Sequence, residues 1–168
     1  QSIFFGASIG LGVPASSCKT PADVRSFDDA RAVFKAAHAA HTEAMRHYVL
    51  DGCVTDHVAL QRDVSQMYRW LAVFETDEKR KLAMYMRRTA ALRPLLDELG
   101  KKAYEDLHKT LSFEVGEVSM ELAEMKSVRI RAKQEAQPAY RPKAVEITKV
   151  NQFLDEAVDA FQHFVDMY

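Results

Sequence analysis

Residues 48–88 constrain the fold most, because this stretch contains two helix breaks that each precede a new apolar period. Asp51-Gly52 is predicted to end one helix, since glycine tolerates the left-handed backbone favoured at helix C-termini. Thr55 or Asp56 is then predicted to cap the second helix, and Thr76-Asp77-Glu78 to cap the third. Three helices joined by two tight turns form antiparallel hairpins.

Apolar residues recur with the three-four spacing of amphipathic helices along most of the chain. Ser26 and Asp29 form a capping-box pattern before the first helix, and Pro94 is predicted to kink or end the third helix, with Gly100 as a stop. Residues 126–137 either extend the fourth helix or begin a separate one. The predicted apolar stripes, in chain order, are Phe27, Ala30, Phe34, Ala37, His41, Met45 and Tyr48; Leu60, Val64, Met67, Leu71 and Phe74; Leu82, Tyr85, Thr89, Leu92 and Leu96; Tyr104, Leu107, Leu111, Val115, Val118, Leu122 and Met125; and Ile147, Val150, Leu154, Val158, Phe161, Val165 and Tyr168.

No β-alternation of useful length occurs, so the predicted fold class is all-α. Long helices with short connections are typical of bundles and of α-solenoids. The hairpin period is about 50 residues rather than the 34 of a tetratricopeptide (TPR) repeat, so irregular helix pairs are expected. We predict an irregular lead or linker over residues 1–25 and one helical-repeat domain over residues 26–168, whose last stripe is still running at Tyr168.

Composition argues against several classes of partner. The chain has 168 residues and a formal net charge of -1, so it lacks the overall basic field that non-specific nucleic-acid binding needs. Residues 3–13 are apolar but too short to span a bilayer, and no membrane insertion is expected. Cys18 and Cys53 have no metal-ligand spacing, which suits free thiols in a reducing compartment.

Two groups of residues contain side chains that can bind metal ions. Glu105 and His108 form a Glu-x-x-His motif, but a di-iron site needs a second such motif and two further glutamates, and both residues are predicted on the solvent face. Cys53 and the histidines His38, His41, His47 and His57 do not converge as four zinc ligands on the predicted helices. We therefore predict no catalytic residue, no cofactor-binding residue and no metal site.

Two basic sets are the more suggestive feature, because such clusters attract acidic partner surfaces. The alternative is an ordinary solvated face balanced by nearby acidic residues. Tyr140, between Pro138 and Pro142, is predicted to be an exposed contact residue on a constrained loop. The candidate partner-binding residues are Lys133, Tyr140, Arg141 and Lys143. The first basic set comprises Lys79, Arg80, Lys81, Arg87, Arg88 and Arg93, and the second comprises Lys126, Arg129, Arg131, Lys133, Arg141 and Lys143.

Several ordered strings resemble the KIF-binding protein family. The resemblance implies a TPR-like superhelix of helical hairpins that binds kinesin motor domains, keeps them off microtubules, and has no catalytic activity and no cofactor. It also implies a cytoplasmic, cytoskeleton-associated protein, of which this chain is similar to part of the C-terminal half. The strings are Leu50-Asp51-Gly52, Val54-Thr55-Asp56-His57-Val58, Phe74-Glu75-Thr76-Asp77 and Leu92-Arg93-Pro94-Leu95.

Two hypotheses of function follow. The first is a kinesin-motor-binding module that contacts its partner through the loop of residues 133–143. The second is a structural subunit or scaffold without a kinesin role, in which an exposed stripe packs against the remaining part of its own polypeptide or another helical subunit. That stripe would contain Ile147, Leu154, Phe161 and Val165.

Overall fold

A computed structural model of the protein describes residues 24–168, which form five α-helices and no β-strand. The all-α prediction is confirmed. The lead predicted over residues 1–25 lies outside the described residues, except for its last two. The helices are α1 (Phe27–Ala44), α2 (Val54–Val73), α3 (Glu78–Glu98), α4 (Glu105–Ala136) and α5 (Ala144–Val165).

Two of the predicted helix starts are confirmed by their caps. The Ser26 hydroxyl accepts a hydrogen bond from the Asp29 amide at 3.2 Å, and the Asp29 carboxylate accepts one from the Ser26 amide at 3.2 Å. Asp77 caps α3 by accepting from the Arg80 amide at 2.8 Å. Each cap satisfies amide groups that have no partner within the helix.

The connection between α1 and α2 differs from the prediction. The first helix ends at Ala44 rather than at Asp51-Gly52, and residues 45–52 form a series of turns. Gly52 does adopt a left-handed backbone, with φ of 111°. The predicted cap at Thr55 or Asp56 is wrong, because α2 begins at Val54 and its N-cap, Cys53, makes no side-chain hydrogen bond.

Pro94 lies in the last part of α3 but does not end it, and the helix stops just before Gly100, as predicted. The helix continues to Glu98, four residues beyond the proline. Leu92 and Leu95, on either side of Pro94, are both buried in the core. Burial of these two leucines stabilises the helix across Pro94, which has no backbone N–H to donate to the preceding turn. Residues 126–136 extend α4 without a break, so the first of the two alternatives predicted for this segment is confirmed.

Each helix packs mainly on its neighbours in the chain, from α1 on α2 to α4 on α5. This order of contacts is that of a helical solenoid, in which each hairpin stacks on the next. Burial occurs in three clusters rather than in one central core. They are centred on Leu71 and Ala72, on Leu92 and Leu111, and on Leu122 and Phe153.

The Phe161 ring of α5 packs directly against Gly116 of α4. A β-carbon built on this residue would lie 2.6 Å from Cε1 of Phe161, so only glycine fits without movement of the ring. The buried face of α5 is centred on Phe153, Ala157 and Ala160 rather than on the predicted stripe. Several predicted members are exposed instead: Ile147, Leu154, Val158, Val165 and Tyr168.

Candidate protein-binding surface

The Glu-x-x-His pattern of α4 serves the fold. His108 is fully buried, not on the solvent face as predicted, and its Nε2 donates to the Leu99 carbonyl at 2.8 Å. Glu105 lies on the exposed side and pairs with Lys109 at 2.6 Å. The imidazole and the carboxylate therefore face different neighbours and do not form a shared ligand set.

The other metal candidates are similarly separate. His57 bonds through Nδ1 to the Tyr48 carbonyl at 2.8 Å, and His41 bonds through Nδ1 to the Ala37 carbonyl at 2.9 Å. Within residues 24–168 no group of three or more histidine, cysteine, aspartate or glutamate side chains is placed to hold a metal ion.

The first basic set divides into structural and surface residues. Arg88 is only 2% exposed, so its prediction as part of a solvated face is wrong. Its guanidinium donates to Glu121 at 2.8 Å and to the Ser65 hydroxyl at 3.3 Å. The same group lies over the Tyr85 ring, 5.1 Å from the centroid. Arg88 thus joins α2, α3 and α4 in the interior.

Three residues of the second basic set, Lys126, Arg129 and Lys133, line a groove between the end of α4 and the beginning of α5. This α4–α5 groove has a volume of about 310 Å³ and is lined by four cationic side chains and one carboxylate, that of Glu146. Burial lowers the pKa of Lys126, and repulsion from Arg129 and Lys149 lowers it further. The groove therefore has a positive potential that favours an acidic partner. Its cations are Lys126, Arg129, Lys133 and Lys149.

The loop between α4 and α5 is held in place by Glu146. Tyr140 donates its hydroxyl to this carboxylate, and the Lys133 ammonium donates to it at 2.5 Å. Tyr140 is consequently half-buried rather than exposed, with the Lys133 ammonium 5.3 Å from its ring centroid. Of the four candidate contact residues, Arg141 and Lys143 are the exposed ones.

The Glu146 contacts lead to a prediction about pH. Hydrogen bonds from Lys133, Tyr140 and the Lys143 amide lower the pKa of Glu146 from 4.5 to about 2. A lowered pKa means that these contacts stabilise the fold fully above pH 4.5, and that their contribution is lost as the pH falls toward 2. Carbon-detected NMR of the Glu146 carboxyl should show this low midpoint, and Lys133→Met should raise it. A midpoint that Lys133→Met leaves unchanged would contradict the pairing.

A second groove lies between α1 and α3 and was missed by sequence reasoning. This α1–α3 groove, of about 390 Å³, has Phe34, Tyr68 and Met84 among its apolar lining residues. Its lining residues come from three helices, apart from Glu75 in the connection between α2 and α3. Each helix alone shows an ordinary amphipathic face, so no local pattern indicates the groove. Four cations line its rim: Arg31, Lys35, Arg80 and Arg87.

Comparison with known proteins identifies the family. None of the helices in residues 24–168 has the length and apolar character needed to cross a membrane. The family model described as KIF-1 binding protein C terminal matches residues 12–168. No solved structure matches the chain.

The relatives are proteins named KIF-binding protein. That of Xenopus tropicalis is 32% identical over 99% of this chain, and that of Danio rerio is 29% identical over 99%. The human relative is 31% identical over 83% of this chain. The chain spans only 26% of the length of the first two relatives and 22% of the human one. Because the family model covers nearly the whole sequence, the chain belongs to the KIF-binding protein family and corresponds to a C-terminal part of it.

Proposed function

We propose that this chain is a non-enzymatic interaction module that binds kinesin motor domains and hinders their attachment to microtubules. Its membership of a family whose relatives are named KIF-binding protein carries this proposal. The chain spans about a quarter of those relatives, so it supplies part of a larger binding surface. The same proposal places it in the cytoplasm with the cytoskeleton, where motors act.

The α4–α5 groove and its loop are the proposed contact. The groove is positive, and Arg141 and Lys143 extend from the loop beside it into solvent. Lys133 and Tyr140 bond to Glu146, so we assign them the role of holding the loop rather than of reaching the motor. A rigid loop loses little conformational entropy on binding, which favours affinity.

Microtubule co-sedimentation of several kinesin motor domains with increasing amounts of this chain tests the proposal. A subset of motors is expected to move from the pellet to the supernatant. Arg141→Glu combined with Lys143→Glu should weaken this release about tenfold, because reversing charge in a positive contact turns attraction into repulsion. Lys101→Glu combined with Lys102→Glu makes the same charge change at the α3–α4 turn and should leave the release unaltered.

Two results would contradict the proposal. Equal loss of release in both double variants would show a general charge effect rather than a contact at the loop. No release of any motor by the folded chain, followed by none with the full-length polypeptide, would remove the kinesin role. If only the full-length polypeptide releases motors, the activity belongs to the whole protein and not to this part of it.

The exposed face of α5 favours a second candidate function, that of a structural subunit. Ile147, Leu154 and Val165 of the predicted stripe are 47%, 38% and 59% exposed, whereas Phe161 packs over Gly116. Such a face is suited to cover by the remaining part of the polypeptide or by another helical subunit. Under this alternative the chain associates in sedimentation velocity, Leu154→Asp abolishes the association, and no motor is released from microtubules.

A further inference from the structure

We propose that the α1–α3 groove is a docking site for an acidic amphipathic helix of a partner protein, with apolar side chains on one face and carboxylates on its flanks. This site is separate from the α4–α5 groove, and the proposal does not depend on a kinesin role. It rests on three features of the groove: its apolar lining, its uncompensated rim charges and its aromatic content.

The apolar lining provides the anchor for such a helix. Phe34 and Tyr68 lie with their ring centroids 4.9 Å apart, and Met84 of α3 also lines the groove. Phe34 and Tyr68 are only half-buried although they belong to the cluster beneath the groove. Methionine and aromatic side chains adapt well to inserted apolar groups, as in grooves that accept amphipathic helices.

The rim charges determine the chemistry of the partner. Arg80 is engaged within the protein, since it pairs with Glu75 at 3.1 Å and lies over the Phe27 ring. Arg31, Lys35 and Arg87 are exposed and make no ion pair within residues 24–168.

Among the lining residues that belong to the described range 24–168, Glu75 is the only carboxylate, so this part of the rim has excess positive charge. An acidic partner compensates that charge, and a basic one would be repelled. Arg87 also lies over the Tyr68 ring at 5.6 Å, which holds its guanidinium at the mouth of the groove. Tyrosine and arginine are among the residues enriched at the energetic centres of interfaces.

A designed peptide provides the probe for binding. The probe is a fluorescein-labelled peptide of about 15 residues with leucines at helical i, i+3, i+4 and i+7 spacing and glutamates elsewhere, long enough to span roughly 22 Å as a helix. An isomer of the same composition with dispersed leucines tests amphipathicity, and a version with lysine in place of glutamate tests charge. Fluorescence anisotropy with the intact chain should show affinity for the first peptide at least about tenfold above that for either control.

Matched variants of the chain locate the site. Arg31→Glu combined with Lys35→Glu should weaken the acidic peptide at least about tenfold, whereas Arg141→Glu combined with Lys143→Glu should change its affinity less than about twofold. Raising the ionic strength from about 50 mM to about 300 mM should also weaken binding of the acidic peptide, because salt screens its attraction to the rim cations. The substituted residues are exposed, so circular dichroism should show unaltered helicity and thermal midpoint.

A photo-crosslinking version of the peptide gives an independent position. Cross-links mapped by mass spectrometry are expected on Phe34 or Met84. The proposal is wrong if cross-links fall only within residues 126–149, if the dispersed isomer binds as tightly, or if the control double variant weakens binding equally. It is also wrong if Arg31→Glu with Lys35→Glu abolishes self-association of the chain but leaves peptide affinity unchanged, because the groove would then hold a second copy of the chain.

Discussion

Replacing Glu121 with alanine is expected to lower the free energy of unfolding by about 3 kcal/mol, because it leaves the Arg88 guanidinium buried without a counter-charge. Arg88 has a side chain only 3% exposed, and Glu121 provides its sole ion pair within the described residues. The Ser65 hydroxyl, at 3.3 Å, does not replace a carboxylate. Urea unfolding followed by circular dichroism measures this difference.

Two further variants separate the buried charge from the loss of a side chain. Glu124→Ala removes an exposed carboxylate three residues further along α4 and should change stability by less than about 0.5 kcal/mol. Adding Arg88→Met to Glu121→Ala should recover part of the loss, since an apolar side chain of similar length needs no counter-charge. If Glu121→Ala costs no more than Glu124→Ala, Arg88 is solvated and the buried pair is not a determinant of stability.

Gly116→Val is expected to destabilise the chain by about 3 kcal/mol through overpacking at the contact of α4 with α5. Helix propensity alone predicts a gain, because valine is a better helix former than glycine. The net effect on stability is nevertheless a loss, because three carbons of the Phe161 ring would lie 2.6–2.8 Å from the added β-carbon. The ring is itself held against Phe113, with centroids 5.9 Å apart, so it has little freedom to move away. Thermal and urea unfolding both measure the loss.

Gly100→Ala is the control for this substitution. A β-carbon there meets only the β-carbon of Ala103 at 4.0 Å, which is ordinary contact, and the backbone of Gly100 is not in the left-handed region. Its stability should therefore stay the same or rise by up to about 1 kcal/mol. Phe161→Leu combined with Gly116→Val should recover part of the loss. If Gly116→Val is neutral on its own, α4 and α5 do not need glycine at their crossing.

The local features of the sequence predicted local structure well. Ser26 and Asp77 cap the helices that they were expected to cap, because a cap is a bond between residues only three positions apart. The ordered strings around Asp51-Gly52 and Phe74-Glu75 indicated the family that the comparisons then identified. Thr55 is not a cap, because the turn before it ends at Cys53, whose amide donates to the Val49 carbonyl at 3.1 Å, and α2 then begins at Val54.

The candidate site was only partly predictable, because only some of its contacts join residues close together in the sequence. The loop and the second basic set follow from prolines and charges that are visible in the sequence. The half-buried position of Tyr140 against Glu146 depends on how the loop folds back on α5, which the sequence does not show. The α1–α3 groove depends on three helices at once, and the spacing between α1 and α3 leaves no trace in the sequence of either helix.

The sequence by itself determined the helical class, most helix boundaries and the family, because periodicity, caps and breakers act over a few residues. Only the tertiary structure decided which side of each helix is buried. In α5 the apolar arc is wide enough to include both the predicted stripe and Phe153, Ala157 and Ala160, and packing against α4 buries the second of these two sets. Arg88 and His108 can be buried because each has a hydrogen-bond partner in the interior. Glu121 accepts from Arg88, and the Leu99 carbonyl accepts from His108. Both partners lie outside the helix that carries the buried residue, so its apolar period does not reveal them.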